Sequence, residues 1–167
     1  MDTWGTKVPY FIIIRQTMID KLKIENLVRE CISGTELFLV AVKVSSSGKI
    51  TILADRNKGI TINECGSISR FVEMHLDRNE EDYELMVSSP GLDMPFMVKK
   101  QYYKSEGKRV EVVSTEGEKF AGLLKNVTDG GFEIETEVKV KGKTKEKKEL
   151  SFNYDQVKST KEVVSFK

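Results

Sequence analysis

The chain has 167 residues, of which 39% are apolar and 32% are charged, and its formal net charge is +1. This length fits one domain or two compact modules of about half that size. The charged fraction exceeds the roughly 25% of ordinary globular chains, which indicates a soluble protein with enough apolar residues for a core. The apolar stretch 8–14 is far shorter than the ~20 residues that span a bilayer, so the sequence predicts no transmembrane helix.

The cysteine and histidine content excludes several chemistries. Cys31 and Cys65 form no CxxC pair, and His75 is the single histidine. Neither a disulfide framework nor a zinc site is therefore predicted, and a reducing cytoplasm fits best. Ser88 and Ser89 have no identifiable general base or oxyanion hole, so hydrolase chemistry is not indicated. We expect no enzymatic activity, no cofactor and no bound metal.

Charge is unevenly distributed along the chain. Residues 18–98 hold nine basic and thirteen acidic residues, whereas residues 99–167 hold sixteen basic and twelve acidic ones. This asymmetry favours a basic module that meets an anionic partner and an acidic module with another role. Regular periodicity begins only after Met18, so we expect residues 1–17 to come from an over-extended reading frame and Met18 to be the natural start.

The first half of the chain alternates helical and strand patterns. Apolar residues at helical spacing over 24–32 predict an amphipathic helix, and alternating apolar residues with a polar turn predict a β-hairpin over 38–53. Thr61 and Glu64 have the spacing of a capping box at the start of a second helix. A third strand over 83–87 completes an α-β-β-α-β sandwich.

The second half of the chain is dominated by strand patterns. After a loop and a short segment around 101–105, short strands follow one another with turns at 116–117 and 129–131. Between Phe132 and Val140 the apolar and charged residues alternate, so one face of that strand is expected to be buried. Strands at this spacing predict a small all-β barrel, and the predicted class is α+β.

A specific set of residues surrounds the third strand. In chain order these are Gly59-Ile60, Cys65 with Ile68-Ser69-Arg70, and the segment Tyr83-Glu84-Leu85-Met86-Val87-Ser88-Ser89-Pro90-Gly91-Leu92-Asp93. Together they resemble the signature of the RimP family of ribosome maturation factors, and the resemblance continues into the closing segment 152–166. The chain departs from the family pattern at Met86, where an acidic residue is usual, and at Met94, where arginine is usual.

The resemblance implies a fold and a function. It implies an α/β N-terminal domain, which we place at 18–98, and an SH3-like or Sm-like C-terminal barrel at 99–167. It also implies a cytoplasmic, non-enzymatic factor that binds the free small (30S) ribosomal subunit late in assembly, alongside ribosomal RNA and a small-subunit ribosomal protein. We expect a monomer without a membrane partner. The alternative is a general RNA-binding module that acts on messages or small RNAs.

The first candidate site is a cluster of lysines around Gly142. A hairpin there would direct the ammonium groups toward solvent, where phosphates could release counterions on meeting them. The alternative is a soluble loop tip, which the interspersed Glu146 and Glu149 favour. Aromatic residues are absent from this loop, so sequence-specific reading of RNA is not expected. The cluster consists of Lys139, Lys141, Lys143, Lys145, Lys147 and Lys148.

The second candidate site is the loop that ends the family motif. Its hydroxyls, the fixed φ of proline and the tolerance of glycine for positive φ predict a defined shape with little bulk. A partner backbone or phosphate could approach it closely, but we favour an interdomain turn as its main role. Beyond it, Tyr102 and Tyr103 could stack on RNA or pack between the domains. The loop residues are Ser88, Ser89, Pro90, Gly91, Leu92 and Asp93.

Overall fold

The computed structural model describes residues 19–79, 82–139, 142 and 145–164, so the predicted N-terminal extension lies outside the described residues. The elements follow the predicted order, α-β-β-α-β and then mostly strands. They are α1 (Lys21–Cys31), β1 (Phe38–Val44), β2 (Lys49–Asp55), α2 (Ile62–Met74), β3 (Glu84–Ser88), α3 (Lys99–Lys104), β4 (Arg109–Ser114), β5 (Lys119–Lys125), β6 (Gly131–Lys139), β7 (Lys145–Asn153), a 3-10 turn (Tyr154–Gln156) and β8 (Val157–Glu162). The α+β class is confirmed.

Local signals place the first two elements. Helix α1 begins after Asp20, whose carboxylate accepts the Leu22 N–H at 2.9 Å. Strands β1 and β2 pair antiparallel and confirm the predicted hairpin. The turn between them requires glycine, because Gly48 has a φ of +80° and a Cβ there would lie 2.8 Å from the Asp82 carbonyl oxygen.

The start of α2 confirms the predicted capping box. The Thr61 hydroxyl accepts the Glu64 N–H at 3.2 Å, and the Glu64 carboxylate accepts the Thr61 N–H at 2.7 Å. The helix ends at Met74, two residues before Leu76. The N–H groups of His75 and Leu76 bond to carbonyls only three residues earlier, which tightens the last turn. Leu76 still packs against the core.

Strand β3 completes the first sheet in the order β1-β2-β3. It pairs parallel to β2, from Lys49 opposite Glu84 to Leu53 opposite Ser88. This parallel pairing needs a crossover connection, which α2 provides. Both helices contribute to the core against this sheet, and its most buried side chains are Ile24, Val28, Ile50, Ile52, Ile68 and Val72.

The second sheet has five strands in the order β7-β6-β5-β4-β8. Strand β8 pairs antiparallel with β4, so the last strand of the unit lies beside its first. Its core consists of Val110, Val112, Leu124, Val127, Phe132 and Ile134 together with Tyr102 from α3. The C-terminal unit is therefore a β unit, and its SH3-like or Sm-like character stays a prediction.

Helix α3 occupies the short segment for which the sequence pattern indicates no element. It begins after Val98, and the Gln101 side-chain oxygen accepts the N–H groups of Met97 at 2.6 Å and Val98 at 3.1 Å. A third apolar cluster lies beside this segment, because a β-bulge in β1 turns two large side chains away from the first core. The cluster contains Phe38, Val40 and Leu53, with Met94 and Val98 packed against it. The domain boundary at 98–99 stays a prediction.

Candidate nucleic-acid interface and domain junction

The lysine cluster lies on the hairpin of β6 and β7. The pairing runs from Gly131 opposite Asn153 to Lys139 opposite Lys145, while Lys141 and Lys143 lie outside the described residues. Strand β7 is at the edge of its sheet. Lysines on an edge strand hinder pairing with a further chain, so part of this charge has a structural reason that is independent of any ligand.

Carboxylates of the same sheet compensate two of the hairpin lysines. The Lys145 ammonium lies 2.9 Å from the Glu137 carboxylate, and the Lys147 ammonium lies 3.0 Å from the Glu135 carboxylate. Lys125 of β5 forms a second ion pair with Glu135. A phosphate that met Lys145 or Lys147 would therefore compete with a carboxylate already in place.

These ion pairs shift the pKa values of Glu135, Glu137 and Lys125. Hydrogen bonds from Lys125 and then from Lys147 lower the pKa of Glu135, and the hydrogen bond from Lys145 lowers the pKa of Glu137. In turn, the Glu135 carboxylate raises the pKa of Lys125. The lowered pKa values keep Glu135 and Glu137 ionised at neutral pH, so these two carboxylates offset positive charge on this face of the hairpin.

Two of the predicted lysines are more available to an anionic ligand than Lys145 and Lys147 are. Lys148 lies opposite Thr136, and Lys139 lies opposite Lys145. Neither Lys139 nor Lys148 forms an ion pair with another described residue. Within the described part of the cluster, these two ammonium groups fit an anionic ligand better than Lys145 and Lys147 do.

The loop that ends the family motif has a compact local structure. Ser88 is the last residue of β3, and its hydroxyl donates to the Ser89 carbonyl at 3.0 Å. The Met94 N–H donates to the Gly91 carbonyl at 3.0 Å and closes a turn over Leu92 and Asp93. The φ of Gly91 is not positive, and an added Cβ would meet only the Met94 Cγ at 3.7 Å. The shape of the loop therefore does not depend on the conformational freedom of glycine.

The same loop borders a small cavity of about 50 Å³ beside the second unit. Pro90, Gly91 and Leu92 line one side of the cavity, and Lys104 of α3 and Glu162 of β8 line another. The volume suits a single water molecule better than a larger ligand. This geometry is compatible with an interdomain turn, and that role and contact of the loop with a partner both stay predictions.

A nearly buried ion pair closes this junction. The Lys104 ammonium lies 2.5 Å from the Asp55 carboxylate, and the two side chains are 19% and 6% exposed. The second Asp55 oxygen accepts the Arg56 N–H at 2.9 Å. Sequence reasoning missed this pair because its members are 49 residues apart and neither stands in a recognisable motif.

The two adjacent tyrosines have different environments. Tyr102 is buried, and its ring centroid lies 4.9 Å from that of Phe96 and 5.0 Å from that of Phe132. Tyr103 is exposed, and its hydroxyl donates to the Asp129 carboxylate at 3.2 Å. Burial raises the pKa of Tyr102. Packing is thus the role of Tyr102, whereas the ring of Tyr103 is partly accessible.

The histidine and the cysteines have structural environments. The Nδ1 atom of His75, which caps the C-terminal end of α2, lies 2.8 Å from the Phe71 carbonyl oxygen. Cys31 and Cys65 are half-buried rather than fully buried. Burial raises the pKa of both thiols, which disfavours the nucleophilic thiolate.

Two features are absent from the described ranges. No helix there is long and apolar enough to cross a membrane. Nor do three or more His, Cys, Asp or Glu side chains come together there as a set that could hold a metal ion.

Comparison with known proteins relates the chain to one family. Residues 24–93 match the family described as the RimP N-terminal domain. A protein of Christiangramia forsetii named ribosome maturation factor RimP is 31% identical over 87% of this chain and 99% of its own length. Proteins of the same name from Porphyromonas gingivalis and Cytophaga hutchinsonii are 36% and 30% identical, over 71% and 92% of this chain and 78% and 99% of their own lengths.

Proposed function

Since this chain belongs to the RimP family of ribosome maturation factors, we propose that it acts in ribosome maturation and assists late assembly of the small (30S) subunit by binding the free subunit. The observation that carries this proposal is the extent of the likeness. The alignment with the Christiangramia forsetii protein covers 87% of the chain, so it includes both the helix-and-sheet unit and the β unit. A likeness limited to one unit would support only a shared module.

The proposed mechanism is binding without covalent chemistry. The protein holds one arrangement of ribosomal RNA and a small-subunit ribosomal protein and then leaves as a cytoplasmic monomer. Two surfaces support this role. The Lys139 and Lys148 ammonium groups of the hairpin suit RNA phosphates, since neither is neutralised by a described carboxylate. The loop 88–93 offers little bulk beside the junction, which suits close approach by a partner.

Sedimentation of a cell extract in a sucrose gradient tests this function. The full chain, carrying an epitope tag at its C-terminus, is expected to co-migrate with free small subunits and to be depleted from finished ribosomes. Purified protein should likewise bind isolated small subunits more tightly than assembled ribosomes. Co-migration with messages or small RNAs, and not with subunits, would instead support the alternative of a general RNA-binding module.

A further inference from the structure

A groove of about 450 Å³ lies between the end of α1 and the start of α3. The turn Ser33-Gly34-Thr35 and the first residues of β1 form its floor and sides, so residues from both halves of the chain line it. Among the described residues that line it, three are cations, namely Arg29, Lys99 and Lys100, and none carries a carboxylate. We call this feature the basic groove.

No described carboxylate compensates the three cations of the basic groove. None of them forms an ion pair with any described residue, in contrast to Lys104 of the same helix. Lys99 donates to the backbone carbonyl of Asp129 at 2.7 Å, and the Lys100 ammonium lies 5.7 Å from the centre of the Phe38 ring. The Lys99 ammonium also lies 5.3 Å from the centre of the Tyr154 ring. Asp129 and Tyr154 are not among the described lining residues, so the Lys99 ammonium lies at the edge of the groove. The carbonyl and the two rings are neutral partners and do not cancel the charge of either ammonium group. Three like charges around one concavity attract an anion.

The chemistry of the lining matches a phosphate backbone. Arginine, lysine, serine and threonine side chains are among the groups that contact nucleic-acid phosphates, and the groove combines Arg29 and the two lysines with the exposed Ser33. Among the described lining residues the one aromatic is Phe38, which is only 6% exposed, so none of them offers an open ring for a base to stack on. Contact with the backbone, independent of base sequence, fits this lining.

We propose that the basic groove binds backbone phosphates of ribosomal RNA through Arg29, Lys99 and Lys100. This proposal rests on the proposed function, which makes ribosomal RNA the anionic partner. It places an RNA contact at the junction of the two units and not only on the hairpin of β6 and β7. An RNA strand in the groove contacts α1 and α3 together, so the relative position of the two units bears directly on RNA affinity.

The test compares a groove variant with a matched control. In the groove variant Arg29, Lys99 and Lys100 are replaced by Gln. In the control Lys43, Lys119 and Lys158 are replaced by Gln; these are exposed lysines outside the groove, and none forms an ion pair with a described residue. Urea unfolding of both variants establishes that the full chain still folds.

The measurement is the affinity for purified small-subunit ribosomal RNA, freed of protein, over a range of KCl concentrations. Each lost phosphate contact flattens the slope of log affinity against log salt by about 0.7 to 0.9. The groove variant is expected to have a slope shallower by up to about 2 to 3, and the control a slope close to that of the wild type. Equal slopes for the two variants would overturn the proposal.

Binding to isolated small subunits separates this proposal from the proposed function. If the wild type binds free subunits and the groove variant binds them with unchanged affinity and slope, the groove proposal fails and the function stands. If the wild type does not bind free subunits, the function fails, and a flattened slope on purified RNA still supports phosphate binding in the groove. If only subunit affinity falls and RNA binding is unchanged, the groove holds an acidic protein segment, and the RNA proposal is overturned.

Discussion

Asp55 at the end of β2 and Lys104 on α3 form an ion pair with 2.5 Å between carboxylate and ammonium, across 49 residues of chain. The pair ties the helix that precedes the β unit to the first sheet. Because the carboxylate is only 6% exposed, it would be poorly solvated without its partner. Removing one member of such a pair destabilises a protein far more than removing a surface ion pair.

We predict that Lys104→Gln lowers the free energy of unfolding by about 3 kcal/mol. The matched control is Lys108→Gln, which removes a 44% exposed ammonium 3.2 Å from Glu162 and should lower it by no more than about 1 kcal/mol. The double variant of Asp55→Asn and Lys104→Gln should lose less free energy of unfolding than the two single variants lose in total. Urea unfolding measures the free energy of unfolding of each variant. An equal decrease in Lys104→Gln and Lys108→Gln would contradict the prediction.

The hairpin lysines should differ in their contribution to RNA binding. Replacing Lys139 and Lys148 by Gln should flatten the salt dependence of subunit affinity by up to about 2 in slope, if both contact phosphates. Replacing Lys145 and Lys147 by Gln is the control, because carboxylates already compensate these ammonium groups, and the slope should change less. Should neither pair alter the slope, the hairpin is only a solvated loop.

The stability of the hairpin should fall in acid. Lys125 and Lys147 hold the pKa of Glu135 below its usual range. A carboxylate with a lowered pKa stabilises the folded state above the pKa of the unfolded chain, and this contribution is lost as the pH falls through the folded pKa. Acidification below the ordinary glutamate pKa of about 4.3 should therefore progressively weaken the contacts among β5, β6 and β7.

Carboxyl titration by NMR checks this assignment. The titration midpoint of Glu135 should rise in Lys147→Gln and rise further in Lys125→Gln, because the hydrogen bond from Lys125 is the larger cause of the lowered pKa. Lys119→Gln, elsewhere on the same sheet, is the control. A midpoint that stays constant in all three variants would show that the ion pairs do not form in solution.

The junction loop should matter more for association than for folding. We predict that Pro90→Ala combined with Gly91→Val weakens binding to free small subunits, while stability changes by no more than about 1 kcal/mol. Gly91 is exposed and a Cβ there meets only the Met94 Cγ at 3.7 Å, so the folded protein tolerates the added bulk that a close partner would not. If the variant and the wild type bind free small subunits with equal affinity at the same folded fraction, the loop acts only as an interdomain turn.

The sequence by itself determined the elements whose signals are local. The capping box of Thr61 and Glu64, the hairpin turn at Gly48 and the alternation that begins at Phe132 depend on residues a few positions apart. Such signals act before the chain is compact, so their pattern can be recognised without the fold. The motif 83–93 likewise indicated the family before any geometry was known.

Only the tertiary structure decided which distant groups meet. It placed Tyr102 in the core of the β unit, joined Asp55 to Lys104, paired Lys147 with Glu135, and brought Arg29 to the same groove as Lys99. The sequence predicted a basic cluster around Gly142, yet the register of β6 and β7 determines which of its described lysines are compensated. The physical reason is that ion pairs and grooves depend on chain closure and strand register, which bring together side chains that no local spacing relates.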